Sequence, residues 1–387
     1  MGRSGPGVAD ALALVADVAD QLVVSSVRDT HLAWLDRAHG VRRRRPGARP
    51  GPAELLHRGI AAGVYGGLGV AFRATSRGLG AAADRGWGPA LDQDPRGRFL
   101  ASAVNGLVGD RLERERPRMA IPLAVRRAGA DVGLDRGSLA AAFPDANGQV
   151  AVFLHGLCEN ESHWDRGRRD RGTTYGETLA RRGWSPVFLR ANTGLPLREN
   201  GVALAALLDE LVTQWPEPVT RLVLVGHSLG GLVVRAAAAV ATGREPAWTS
   251  LVTDVVTLGT PHLGAPLAGQ VATGSGLLAR FPESAAFGRV LDWRSVGVQD
   301  LVDGLAEDVP ALPHARYRLV SATLTRTPRH PVGAWLGDGL VRVPSAYGRV
   351  GPVDLFPGAE VLHVPRAGHF DLLNHPDVEG ALVRWLA

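Results

Sequence analysis

The sequence predicts an α/β domain built on a mostly parallel, doubly wound sheet, preceded by an N-terminal helical extension. Three observations predict it. From Met119 onward, short apolar runs alternate with helical stretches, the signature of strand–helix–strand units. Several of these runs are apolar throughout, as strands covered on both faces require. Polar, glycine-rich clusters follow the runs, where ligands bind in such sheets, beyond the carboxyl ends of the strands.

The extension comes first. Val8, Leu12, Val15, Ala19 and Leu22 recur at spacings of four and three and form one helical stripe. A Pro/Gly/Arg linker at Val41–Pro52 holds the basic run Arg42–Arg45, read as a solvated face, with an anionic membrane surface as the alternative. A second helical stretch covers Ala53–Asp84, "GWGPALDQDPRG" breaks it, and a third covers Arg98–Arg116. Residues 1–116 are therefore expected as the extension and 117–387 as the sheet domain. In the latter, strands are predicted at 119–127, Gln149–His155, Ser185–Arg190, Arg221–Gly226, Asp254–Gly259, Arg316–Ala322 and Ala359–Pro365. Helices are predicted near Thr173–Arg182, Asn200–Trp215 and Leu229–Thr242.

Composition narrows the partners. The 387 residues are 45% hydrophobic and 21% charged, which are globular values. All 43 basic residues are arginine, interspersed with 38 acidic ones. This balance does not predict a nucleic-acid partner. The single cysteine, Cys158, excludes a disulfide within the chain and suits a reducing compartment. Asp10, Asp17 and Asp20 interrupt any signal-peptide core, and the weakly apolar run Gly59–Phe72, 14 residues long, is too short to span a bilayer. A cytoplasmic protein is expected, with the N-terminal helices as candidates for peripheral membrane contact. Nothing in the pattern specifies an oligomeric state.

The chemistry starts at "VGHSLGG", Val225–Gly231. Gly226-His227-Ser228-Leu229-Gly230 has the form G-x-S-x-G between an apolar strand and an apolar helix, the setting of a tight turn that lifts a serine hydroxyl off the sheet. A serine is a weak nucleophile until a base takes its proton, so a histidine and a carboxylate must follow, in the chain order serine, acid, histidine. His369, in "AGHFDLLNHP" after the last strand, is the candidate base. His227 points away from the serine's site, His363 lies within a strand, and His375 precedes Pro376 at the final helix. Asp338, in the loop "GDGLVRVPSA", is the candidate acid, ahead of Asp371, which is read as a first-turn helix residue. Two backbone N–H groups must meet the developing oxyanion. Leu229 follows the nucleophile, and Leu157 lies on the loop after the first core strand, in "HGLCENESHW". His155 is read as organising that loop and Cys158 as packing.

In these six blocks, "HGLCENESHW", "ANTGLPLRENG", "GHSLGGLVVRAA", "LGTPHLGAPLA", "GDGLVRVPSA" and "AGHFDLLNHP", the chain resembles the α/β-hydrolase family from Met119 to Ala387. The resemblance is to its esterase and lipase branch, including lipase-like proteins related to GPI inositol-deacylases. It implies Ser228 as nucleophile, Asp338 as acid, His369 as base, Leu157 and Leu229 as oxyanion donors, and Asn192, Thr193 and Gly194 on a loop near the site. The implied activity is a serine carboxylic-ester hydrolase that works through an acyl-enzyme on a small-molecule or lipid ester. No cofactor or metal is expected, since neither H-E-x-x-H nor G-x-x-x-x-G-K-[ST] occurs. An acyltransferase with the same triad, or a membrane-associated binding protein with an inert triad, remains the alternative. A candidate lid falls within residues 265–313.

Overall fold

In the computed structural model, the residues described are 7–18, 20, 52–85, 87–88, 90–91, 94–240, 247–265, 295–305 and 309–387. Most of the expected linker, and residues 266–294 and 306–308 of the candidate lid, lie outside them. The chain forms two compact units, one of residues 1–94 with 269–294 and one of residues 95–268 with 295–387.

In the first unit, α1 (Val8–Val18) packs on α2 (Pro52–Asp84). Arg73 donates to Asp20 at 2.7 Å. No described helix is long and apolar enough to cross a membrane.

The second unit holds the sheet. Its strands, with one separate hairpin, are β1 (Ala124–Arg127), β2 (Ala130–Val132), β3 (Gln149–Leu154), β4 (Ser185–Arg190), β5 (Arg221–His227), β6 (Val252–Leu258), β7 (Arg316–Thr323), β8 (Arg349–Val350), β9 (Val353–Asp354) and β10 (Glu360–Pro365). The eight-stranded sheet runs β10-β7-β6-β5-β3-β4-β1-β2, and β8-β9 form the hairpin. All pairings from β10 to β4 are parallel; β1 pairs antiparallel with both β4 and β2. The helices are α3 (Pro95–Glu115), α4 (Arg136–Ala142), α5 (Arg168–Arg171), α6 (Tyr175–Ala180), α7 (Leu197–Gln214), α8 (Leu229–Ala238), α9 (Val296–Asp303), α10 (Pro331–Leu336), α11 (Val343–Ala346) and α12 (Pro376–Trp385).

The apolar runs are explained by two cores. Successive side chains of a strand point to opposite faces, so Val150, Val152, Leu222 and Leu224 pack with α7 and α8, whereas Ala151, Phe153, Val223 and Val225 pack with Trp164, Tyr175 and α12. Helix ends follow local chemistry. Thr174 and Glu177 form a capping box at α6, and Pro196 precedes α7, which starts earlier than the predicted Asn200.

The strand predicted at 119–127 is shorter. Pro122 has no N–H to give a ladder, and the Ile121 amide is taken by Asn105 Oδ1 at 2.9 Å, so pairing starts at Ala124. The β1–β2 hairpin was not predicted. Its two-residue turn places Ala128 at φ 50° and Gly129 at φ 79°, and an alanine there gives no turn signal of the Asn-Gly kind. α8 ends at Ala238, short of the predicted Thr242.

Candidate active site

The serine turn is strained as its sequence requires. Ser228 adopts φ 51° and ψ −123° between β5 and α8, a conformation that costs a non-glycine residue about 1–3 kcal/mol. The turn holds because its neighbours are pinned. The Ser228 amide donates to Leu258 O at 2.8 Å, and Gly231 N donates back to Ser228 O at 3.1 Å. Gly230 must be glycine, since a Cβ there would lie 2.5 Å from the carbonyl oxygens of Leu154 and His155.

The loops after β7 and β10 bring the acid and histidine together. His369 Nδ1 lies 2.8 Å from Asp338 Oδ2. The other carboxylate oxygen accepts the amides of Leu340 at 3.0 Å and Val341 at 2.8 Å, and the His369 amide donates to Asp338 O at 3.0 Å. The Asp338 carboxylate is therefore fixed on both sides. The pair stands against the tip of β6, where Gly259 (φ 58°) would, with a Cβ, come within 3.1 Å of His369 Nδ1 and 3.2 Å of Asp338 Oδ2. Leu258 holds the Ser228 amide, so adjacent residues at one strand end serve both the serine and the His–Asp pair. Ser228, Asp338 and His369 are all buried.

The loop after β3 closes the other side. Gly156 approaches Ser228 so closely that a Cβ would lie 2.9 Å from the serine Cβ. His155 is buried; its Nε2 accepts from the Ala191 amide at 3.0 Å and its Nδ1 lies 2.9 Å from Gly156 O. Burial pushes its pKa down to about 4. Cys158 (φ 62°) gives its amide to Thr193 Oγ1 at 3.1 Å, and burial raises its thiol to about 11, which makes it a poor nucleophile. The Leu157 and Leu229 amides donate to no described residue. Asn192 binds Gly109 O at 3.2 Å and the Gly194 amide at 3.1 Å, so it fastens its loop to α3.

The rival residues have other partners. His375 Nδ1 caps α12 through the Asp377 amide, His363 meets Thr323, and Asp371 accepts the Gly368 amide. Glu159 was missed. Its carboxylate lies 2.9 Å from His227 Nδ1 and accepts the Gly156 amide at 2.7 Å. Burial would raise its pKa, but the charge of His227 and their hydrogen bond outweigh it and leave the carboxyl at about 2. Its only sequence signal was an acid close behind the histidine–glycine pair of the loop. Among the described residues, no group of three or more His, Cys, Asp or Glu could hold a metal.

This fold, with a serine at a strained strand-to-helix turn, defines an α/β-hydrolase-fold protein. Residues 191–278 match the PGAP1-like alpha/beta domain. A search of curated protein sequences finds no match. Among solved structures, the chain is similar to the mature Bacillus licheniformis lipase BlEst2, at 22% identity and a TM-score of 0.44, over 62% of this chain and 92% of that one. It is similar to lipase 1 from Pelosinus fermentans at 17% identity and 0.41, over 62% and 99%. The naproxen esterase of Bacillus subtilis gives 15% identity and 0.38, over 62% and 84%.

Proposed function

We propose that the chain is a serine carboxylic-ester hydrolase with Ser228 as nucleophile, His369 as general base and acid, and Asp338 as the group that orients His369. The observation that carries this reading is the buried His369–Asp338 contact at 2.8 Å, on loops beyond the carboxyl ends of the strands, where the strained Ser228 turn also lies. With Nδ1 bound to Asp338, His369 offers Nε2 to the serine proton. Ser228 Oγ attacks the ester carbonyl as His369 takes that proton, and the Leu157 and Leu229 amides receive the oxyanion. Collapse breaks the acyl–oxygen bond, and His369 returns its proton to the departing alcohol. Water, deprotonated by His369, then attacks the acyl-enzyme, and Ser228 leaves with the proton.

The test is a chain-length series of p-nitrophenyl esters with wild type and Ser228→Ala. Wild-type turnover that falls by about four to six orders of magnitude in Ser228→Ala supports the reading. Equal activity in the two proteins overturns it. Transfer to an added alcohol in place of hydrolysis would make the chain an acyltransferase with the same triad.

A further inference from the structure

We propose that Glu159 and His227 form a buried brace that positions the reacting groups, one carboxylate–imidazolium pair tying together the loop of Leu157, the Ser228 turn and the loop of His369. The inference rests on the serine-hydrolase reading and assigns a role to two residues that the reaction itself does not use.

The three ties are direct. Glu159 accepts the Gly156 amide at 2.7 Å, one residue before Leu157. It meets His227 Nδ1 at 2.9 Å, one residue before Ser228. The opposite ring nitrogen, His227 Nε2, lies 3.3 Å from the carbonyl oxygen of His369. The backbone of His369 is thus held at its carbonyl by His227 and at its amide by Asp338 O. Both groups facing the His227 ring are acceptors. A neutral imidazole has one N–H and one lone pair, so it would set a lone pair against one of these oxygens; the imidazolium donates to both. His227 is 0% exposed and Glu159 3%, so neither finds water as a substitute partner, and a buried carboxylate stripped of its cation is costly.

The titratable groups facing the pair are His163, from the turn after the Leu157 loop, and Asp338 and His369, from the acid and base loops. Burial lowers the basicity of His227, but Glu159, the His369 carbonyl and Asp338 together raise its pKa above the ordinary imidazole value. The brace is therefore complete below the ordinary value and is lost as pH rises through the raised one. His369 must be neutral to act as base, so the same enzyme requires one histidine charged and its neighbour uncharged.

The experiment is a kcat and KM pH profile on p-nitrophenyl butyrate for wild type, Glu159→Gln and His227→Gln, with thermal melts. It is paired with nitrogen NMR of histidine-labelled wild type. Partners that orient metal-ligating side chains contribute about ten- to hundredfold, and on that scale Glu159→Gln is expected to lower kcat with KM little changed. It should also move the alkaline limb to lower pH, and His227→Gln should abolish that limb. In the wild type at about pH 6, both ring nitrogens of His227 are expected to be protonated. Folded variants with wild-type kcat and pH profile overturn the brace, as does a neutral His227 at that pH. If the variants do not fold, the NMR state decides alone. Failure of the hydrolase reading looks different: the wild type itself then neither turns over ester nor reacts with a phosphonate.

Discussion

At the residue scale, the pairing of Asp338 with His369 is fixed by backbone contacts on the carboxylate. Asp338 is held by two amides on one oxygen and His369 on the other, so Asp338→Asn keeps the shape but presents an N–H or a weaker acceptor to Nδ1. We expect kcat/KM to fall by about 10⁴-fold, with phosphonate labelling of Ser228 slowed in step and the fold retained by circular dichroism. His155 makes a stability prediction. Its Nε2 must stay unprotonated to accept the Ala191 amide, and burial holds its pKa at about 4. A base with a lowered folded pKa contributes nothing above its unfolded value near 6.5 and destabilises the fold as pH falls below it. The loss approaches about 3 kcal/mol by pH 4 and should be absent from His155→Gln in urea unfolding measured at both pH values. The serine turn was legible because a strained strand-to-helix bend needs small residues on both sides, which "VGHSLGG" displays. Glu159 was not legible, because a carboxylate shows its burial only once His227 and Gly156 fold around it.

At the scale of elements, α3 acts as a clamp on the loops of the site. Its Gly106 lies so close to the next loop that a Cβ would sit 2.4 Å from Cys158 Sγ and 2.8 Å from Cys158 N, and one on Gly109 would sit 1.9 Å from Asn192 Oδ1. Ser295, at the start of α9, binds the same turn of α3 through Gly106 O at 2.7 Å and Leu107 O at 2.7 Å. Gly106→Ala should therefore push the Leu157–Cys158 loop, destabilise by about 1–3 kcal/mol and lower kcat. Gly78 in α2 has open space around it, so Gly78→Ala should leave kcat alone and stabilise by up to about 1 kcal/mol on helix propensity. Denaturant titration with turnover checks both; equal effects would contradict the clamp. The strands of the parallel core were legible from their unbroken apolar runs. The clamp was not, because a glycine in a helix reads as a weak helix position until the partner it admits is in place.

At the scale of the molecule, the sheet gathers every group of the proposed chemistry at the carboxyl ends of β3, β5, β6, β7 and β10, as parallel α/β sheets do. The compact unit that contains them begins at Pro95, although the sequence changes character near Met119. A chain cut after Asp94 keeps α3 and its contacts with Cys158 and Asn192; a chain cut after Arg116 loses them. We expect the first to hydrolyse esters and the second to be inactive or unfolded, as read by circular dichroism and turnover. The proposed hydrolysis stands or falls on Ser228 as the activated nucleophile. Its most direct test is a fluorophosphonate titration of the full chain followed by peptide mass spectrometry. One adduct per chain is expected, on the peptide containing Ser228, and none in His369→Ala. An unlabelled wild type, or an adduct on another residue, would contradict this role.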